Sequence, residues 1–291
     1  MAAPAVVALG GGHGLAVTLR AVRTYAGEVT AVVSVADDGG SSGRLRHDLG
    51  ILPPGDLRRC LTALCPDRST AARALEYRFP TGDLAGHAVG NLLIAGLAAV
   101  VGDFVSALDE TGRLIGSTGR VLPAAIEPVV LTAGDAADAG GRIEGQVAVQ
   151  NTPGVRSVRL RPADAAAPPA VVDAIGRADQ VVMGPGSLFT SVLAAALVPD
   201  VRRALADSRA TKVYVCNLGP QIPETEGMSA ADHVDAPIAH GVPVDVVLLD
   251  GAPDDGAGAG IAVPAAVRPV ARADGRAHDP VRLAEALAGL T

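Results

Sequence analysis

Residues 5–25, AVVALGGGHGLAVTLRAVRTY, decide the fold. A run of small apolar residues breaks into the glycine-rich turn Gly10 to Gly14. Leu15, Leu19 and Val22 then return with the spacing of one helical face. Strand, glycine turn and amphipathic helix make the opening unit of an α/β sheet. The next apolar run, VTAVVSV at 29–35, is continuous rather than alternating, as in a strand covered by helices on both faces.

The same grammar recurs downstream. DQVVM at 179–183, KVYVCN at 212–217 and DVVLLD at 245–250 read as strands. PAVVDAIGRA at 169–178, SLFTSVLAAALV at 187–198 and DPVRLAEALAGL at 279–290 read as helices. Pro54-Gly55 makes a turn, Asp56 reads as the N-cap of a helix from Leu57, and helical pattern continues to about residue 108. Between 121 and 150 the pattern changes. AIEPVVLTA and RIEGQVAVQN read as two extended strands around a Gly/Asp/Ala-rich tip, and GAPDDGAGAG at 251–260 reads as a surface loop. The expectation is an α/β, Rossmann-like fold, a single domain over 1–291. Its sheet is mainly parallel with helices on both faces, and a small β-hairpin excursion lies around residues 121–150.

The bulk composition narrows the function classes. Of 291 residues 49% are hydrophobic but only 2% aromatic, so the core is built from aliphatic side chains. The net charge of −7, without basic runs, argues against nucleic acid as a partner. Cys60, Cys65 and Cys216 form no C-x-x-C pair and read as buried thiols of a reducing compartment. The N-terminus has no basic region of the signal-peptide kind. HAVGNLLIAGLAAVVG at 87–102 is too short to span a bilayer, carries His87 and Asn91, and reads as a buried helix. The protein is therefore expected to be soluble and cytoplasmic, without membrane insertion.

The unusual residues follow strands, and in an open parallel sheet such loops gather at one edge, where ligands bind. The first loop is Gly10, Gly11, Gly12, His13 and Gly14, able to bring backbone close to a phosphate; its spacing is not G-x-G-x-x-G. The second holds Asp37, Asp38, Gly40, Ser41, Ser42 and Arg44. Its carboxylates can accept from sugar hydroxyls or hold a divalent cation such as Mg²⁺, the only cofactor the pattern suggests, while its hydroxyls and Arg44 can donate to phosphate. A solvated capping turn is the plain alternative. The third, GPGSLFTS, offers Gly184, Gly186, Ser187 and Thr190 as an anion or sugar cradle, or as an ordinary capped helix with Ser187 as its cap. The fourth, from Asn217 to His233, is long and polar, with Glu224, Glu226, Asp232 and His233 either contacting a ligand or solvated. His87 and Asn91 share one helical face. No G-x-S-x-G elbow and no H-E-x-x-H pattern occurs, so no catalytic residue is assigned.

ALGGGHGLAVTLRAV, VVSVADDGGSSGRLR, LGILPPGDLRRCLTAL, GHAVGNLLIAGL, GPGSLFTS and KVYVCNL with SAADHV resemble the YvcK-type gluconeogenesis factors, a branch of the superfamily shared with CofD 2-phospho-lactate transferases. The resemblance runs from about residue 5 to the terminal helix. It implies a Rossmann-like domain binding a UDP-sugar such as UDP-N-acetylglucosamine, and a cytoplasmic role in cell shape and envelope synthesis during gluconeogenic growth. A homo-oligomer is the expected assembly, with a downstream envelope-synthesis protein whose identity the sequence does not give. Matching motifs extend the candidate crevice to Asp56, His87, Asn91, Asn217 and Met228. The chain departs from the family pattern at His13, where Thr is usual, and at Met228, where an aromatic is usual. The alternative to a binding regulator is a CofD-like transferase that moves a phospho-lactyl-type group from a nucleotide with Mg²⁺ at Asp37 and Asp38.

Overall fold

The computed structural model describes residues 2–134, 142–252, 258 and 260–291. The glycine tip at 134–141 falls largely outside the described residues, as does most of the loop at 251–260. The opening unit is strand β1 (Ala5–Gly10), helix α1 (Gly12–Val22) and strand β2 (Glu28–Val33). Leu15, Leu19 and Val22 are all buried, as their spacing requires.

Five helices follow: α2 (Gly40–Leu49), α3 (Pro54–Ala63), α4 (Thr70–Glu76), α5 (Val89–Val101) and α6 (Phe104–Ile115). Local chemistry marks their ends. Ser69 and Asp103 accept from the amides of Ala72 and Ser106, and Gly102 and Gly116 close α5 and α6 in left-handed conformation. Asp56 does not begin its helix: α3 opens at Pro54 after Pro53, because proline suits a first turn whose amides need no intrahelical partner. Helix α5 departs from the buried-helix expectation. Only Gly90, Asn91, Ile94 and Ala95 are buried and Val100 is 82% exposed, since α3, α4 and α6 cover one face alone.

Strand β3 (Arg120–Pro123) joins the main sheet beside β2. The excursion then holds β4 (Val130–Ala133), β5 (Ile143–Glu144), helix α7 (Gln146–Gln150) and β6 (Val158–Arg161). It is a three-stranded antiparallel sheet in the order β5-β4-β6 rather than a hairpin. GQVAVQN turns helical because Asp38 accepts from its first amides. The remaining elements are α8 (Pro169–Arg177), β7 (Gln180–Met183), a π-helical segment Leu188–Leu193 continuing into α9 (Ala194–Ala196), α10 (Pro199–Asp207) and β8 (Thr211–Val215). Last come α11 (Ala230–Ala239), β9 (Val246–Asp250), β10 (Ala265–Arg268) and α12 (Pro280–Ala288).

The main sheet has seven strands in the order β10-β9-β8-β7-β1-β2-β3, every pair parallel. The chain runs outward from β1 to β3, returns to place β7 against β1, and runs outward the other way. Order therefore reverses between β1 and β7, which opens a crevice beyond their carboxyl ends. Behind it, β1, β2 and β7 lie in one aliphatic core cluster with α1 and the helical layers. The three cysteines are buried and unpaired. Among the described residues no helix is long and apolar enough to cross a membrane.

Candidate functional site

The loops after β1 and β7 face each other across the reversal. Gly14 packs so tightly there that a Cβ would stand 2.1 Å from the Pro185 carbonyl oxygen. Any side chain would push the two loops apart. Gly12 adopts the left-handed region at φ +65°, and its amide donates to Asp56 Oδ2 at 2.7 Å. The other oxygen of Asp56 accepts from Arg59 at 2.6 Å. Asp56 thus anchors the glycine loop to α3. On the opposite side Asn217 clamps Gly186, accepting from its amide at 3.0 Å and donating to its carbonyl at 2.9 Å.

Between these loops lies a cavity of about 470 Å³, within the range of small-ligand sites. It is lined by Gly11, Gly12, His13, Gly14, Asp37, Asp56, Gly186, Ser187 and Thr190, all from the sequence motifs, together with Ser34, Gly39, Gln146, Val147, Gln150, Ser191 and Gln221. An adjoining cavity of about 460 Å³ shares His13, Gly14, Gly186 and Gln221 with it and reaches Asn217, Arg276 and His278. The two form one crevice. Arg276 and His278 carry no motif in the sequence; the turn before α12 delivers them. His278 is 6% exposed, and its Nε2 has no hydrogen-bond partner among the described residues while its ring lines the cavity. Burial pushes its pKa down, so a neutral imidazole faces the crevice. The positive charge of Arg59, followed by burial, also lowers the pKa of His13 despite the opposing pull of Asp56. Near neutral pH His13 is therefore an uncharged hydrogen-bonding group at the crevice wall rather than an added cation.

The two adjacent aspartates have separate surroundings. Asp38 lies outside the cavity lining and accepts from the Gln146 and Val147 amides, both at 3.0 Å. Both its oxygens are engaged in capping α7, a role for which a carboxylate is well suited. Asp37 faces the cavity and accepts from the Gly39 amide at 3.0 Å. Burial, joined by the charges of Asp56 and Asp38, raises its pKa against the lowering by that hydrogen bond and one from Ser42. Among the described residues no cluster of three or more His, Cys, Asp or Glu converges as a metal site. With Asp38 turned to α7, Asp37 and Asp38 do not offer a paired carboxylate for Mg²⁺.

A third cavity of about 450 Å³ adjoins the crevice at Asp37, Gly39 and Asp56. Gly40, Ser41, Ser42 and Arg44 line this chamber, with Gly55, Arg59, Arg78 and Gly86. Behind it runs a buried network. Arg58, 1% exposed, donates to Asn91 Oδ1 at 2.7 Å and pairs with Glu76 at 3.0 Å. Asn91 Nδ2 donates to Ser41 Oγ at 3.0 Å, and Ser41 Oγ lies 3.0 Å from His87 Nδ1. His87 and Asn91 therefore support the chamber wall and do not line the crevice. Burial, then the charge of Arg44, lowers the His87 pKa.

Three other motif residues, Gly10, Gly184 and Met228, line none of these cavities; Met228 packs against the core instead. Ser187 holds the N-cap position of the π-helical segment without a side-chain cap. Glu224 does that work from the fourth loop. Only 2% exposed, it accepts from the Phe189 and Thr190 amides at 2.8 and 3.1 Å and from the Thr190 hydroxyl at 3.1 Å. Asp232 forms a capping box with Ser229, and His233 is buried against the Ser229 carbonyl. Those residues shape the loop rather than face a ligand.

Fold and site together define an open-sheet α/β protein with its crevice at the switch point of a parallel sheet. The model of the CofD family, described as 2-phospho-L-lactate transferase CofD, matches residues 6–260. A relative from Mycobacterium leprae is 48% identical over 263 residues, 85% of this chain and 72% of the relative. The gluconeogenesis factor of Halalkalibacterium halodurans is 42% identical over 253 residues, covering 85% of this chain and 78% of that one. A crystal structure of a UPF0052 family member from Bacillus halodurans superposes with a TM-score of 0.91 at 35% identity, covering 99% of each chain. The chain belongs to the CofD family, in the branch of the gluconeogenesis factors.

Proposed function

We propose that this protein is a cytoplasmic regulator that binds a nucleotide sugar of the UDP-N-acetylglucosamine type along the crevice without turning it over. The observation that carries this reading is the continuity of the crevice from Arg276 and His278, past the Gly11–Gly14 turn, to Asp37. A UDP-sugar presents a base, a ribose, a diphosphate and a hydroxyl-rich sugar ring in that order. Arg276 and the backbone of two glycine turns suit the anionic middle of such a ligand, and Asp37 suits its hydroxyls. Ser187, Thr190 and Ser191 add hydroxyls to the wall, and the Glu224 carboxylate that accepts from the Thr190 hydroxyl at 3.1 Å is engaged in capping the Phe189 and Thr190 amides. The role is in cell shape and envelope synthesis during gluconeogenic growth, exerted as a homo-oligomer through a protein partner. Calorimetric titration with UDP-N-acetylglucosamine, UDP-glucose, GTP and NAD⁺, with and without Mg²⁺, tests it. Selective UDP-sugar binding without release of UMP or UDP is expected, and silence towards UDP-sugars would sink the reading.

The description of the matching family model favours one alternative, a nucleotide-dependent transferase of the 2-phospho-lactate type. Release of GMP or UMP that requires Mg²⁺ and an acceptor would establish it. The separate engagements of Asp37 and Asp38 weigh against the paired carboxylates that this reading needs.

A further inference from the structure

We propose that the chamber lined by Arg44, Arg59 and Arg78 is a second anion site, which takes the phosphate group of a free phosphorylated small molecule while the crevice holds its own ligand. The naming of two separate ligands rests on the nucleotide-sugar reading of the crevice; the phosphate chemistry of the chamber does not.

Three features of the chamber favour an anion. The first is charge that the protein positions but does not neutralise. Arg44 donates to the Ala85 carbonyl and Arg78 to the Gly86 carbonyl, both at 2.9 Å. Each bond orients an exposed guanidinium, and neither arginine has an ion pair to a carboxylate among the described residues. Arg59, by contrast, is paired with Asp56. The second is the first turn of α2, which points into the same space with no side-chain cap on its amides. Its partial positive charge adds to that of the arginines. The third is the rigidity of the wall: Asn91 donates to Ser41 Oγ at 3.0 Å, and Ser41 Oγ lies 3.0 Å from His87 Nδ1. The wall is thus held rigid by a network that ends on the fully buried Arg58.

A guanidinium fork and helix amides are the groups that recognise a phosphate dianion. The carboxylates of Asp37 and Asp56 stand on the shared wall with the crevice. A single diphosphate threaded from one cavity to the other would pass these like charges, which favours two ligands over one.

The test is titration of the full chain with inorganic phosphate, alone and with saturating UDP-N-acetylglucosamine, for the unchanged protein, Arg78→Gln, and a charge control, Arg113→Gln, at an exposed position that lines none of the three cavities. One phosphate per chain is expected, with affinity independent of the nucleotide sugar. Arg78→Gln should weaken it about tenfold or more by removing a charge-assisted bond, with the melting temperature and UDP-sugar affinity unchanged, and Arg113→Gln should have no effect. Absence of phosphate binding, or equal binding by Arg78→Gln, overturns the proposal. Competition between phosphate and the UDP-sugar also overturns it and assigns the chamber to the nucleotide's own diphosphate. Phosphate binding of the expected kind with no UDP-sugar binding would refute the crevice reading alone.

Discussion

Exchanging each of the adjacent aspartates for asparagine separates capping from ligand contact. Asp38 uses both oxygens on the first two amides of α7. Asparagine keeps one acceptor and turns an amino group towards the other N–H, so one bond is lost together with a favourable charge at a helix start. A cap of this kind is worth about 0.5–2 kcal/mol, and about 1 kcal/mol is expected here. For a chain of this size that corresponds to a melting temperature lower by roughly 2–4 °C. Asp37 holds one structural amide through Oδ1, which asparagine can retain, and accepts from the Ser42 side chain while facing the cavity. Asp37→Asn should therefore leave folding intact and weaken UDP-N-acetylglucosamine about tenfold, the scale of one charged hydrogen bond. Differential scanning calorimetry and isothermal titration on the same preparations read both quantities. Loss of ligand binding in Asp38→Asn with unchanged melting, alongside full binding by Asp37→Asn, would refute the division of roles.

Burial raises the pKa of Asp37, and the linkage has a definite sign. Its contribution to stability is complete below the ordinary value of 3.8 and is lost as pH rises through the higher folded value. Asp37→Asn should match the unchanged protein near pH 3.8 and melt at or above it at pH 8, as paired melting curves would show. Arg58→Met should destabilise by about 2–4 kcal/mol in denaturant unfolding, because Asn91 loses a buried partner while half-exposed Glu76 regains water. Glu224→Ala leaves the Phe189 and Thr190 amides without an acceptor and should cost about 2 kcal/mol or more, whereas Glu224→Gln should be close to neutral, since burial already disfavours the charged form. Thermal melts of the pair would distinguish capping from a need for charge.

The sequence by itself determined the elements whose signal is local. Continuous valine runs at β1, β2, β7, β8 and β9, and the 3.6-residue spacing of α1, follow from burial on both strand faces and one helix face. The glycine turns after β1 and β7 were legible for the same reason, because positive φ and close backbone contact leave a compositional trace at Gly12 and Gly14. Short elements carried less information. RIEGQVAVQN alternates well enough for a strand, yet all but its first residues fold as α7 because Asp38, more than 100 residues away in the chain, supplies the missing cap. Met228 and His87 sit in quoted motifs but face the core and the Ser41 network, which no spacing rule reveals. Tertiary structure alone decided that Asp37 and Asp38 point to different partners, and that Arg276 and His278 complete a crevice begun at Gly11. Site geometry depends on which segments the sheet order brings together, and an amino-acid pattern records only what each segment needs from its immediate surroundings.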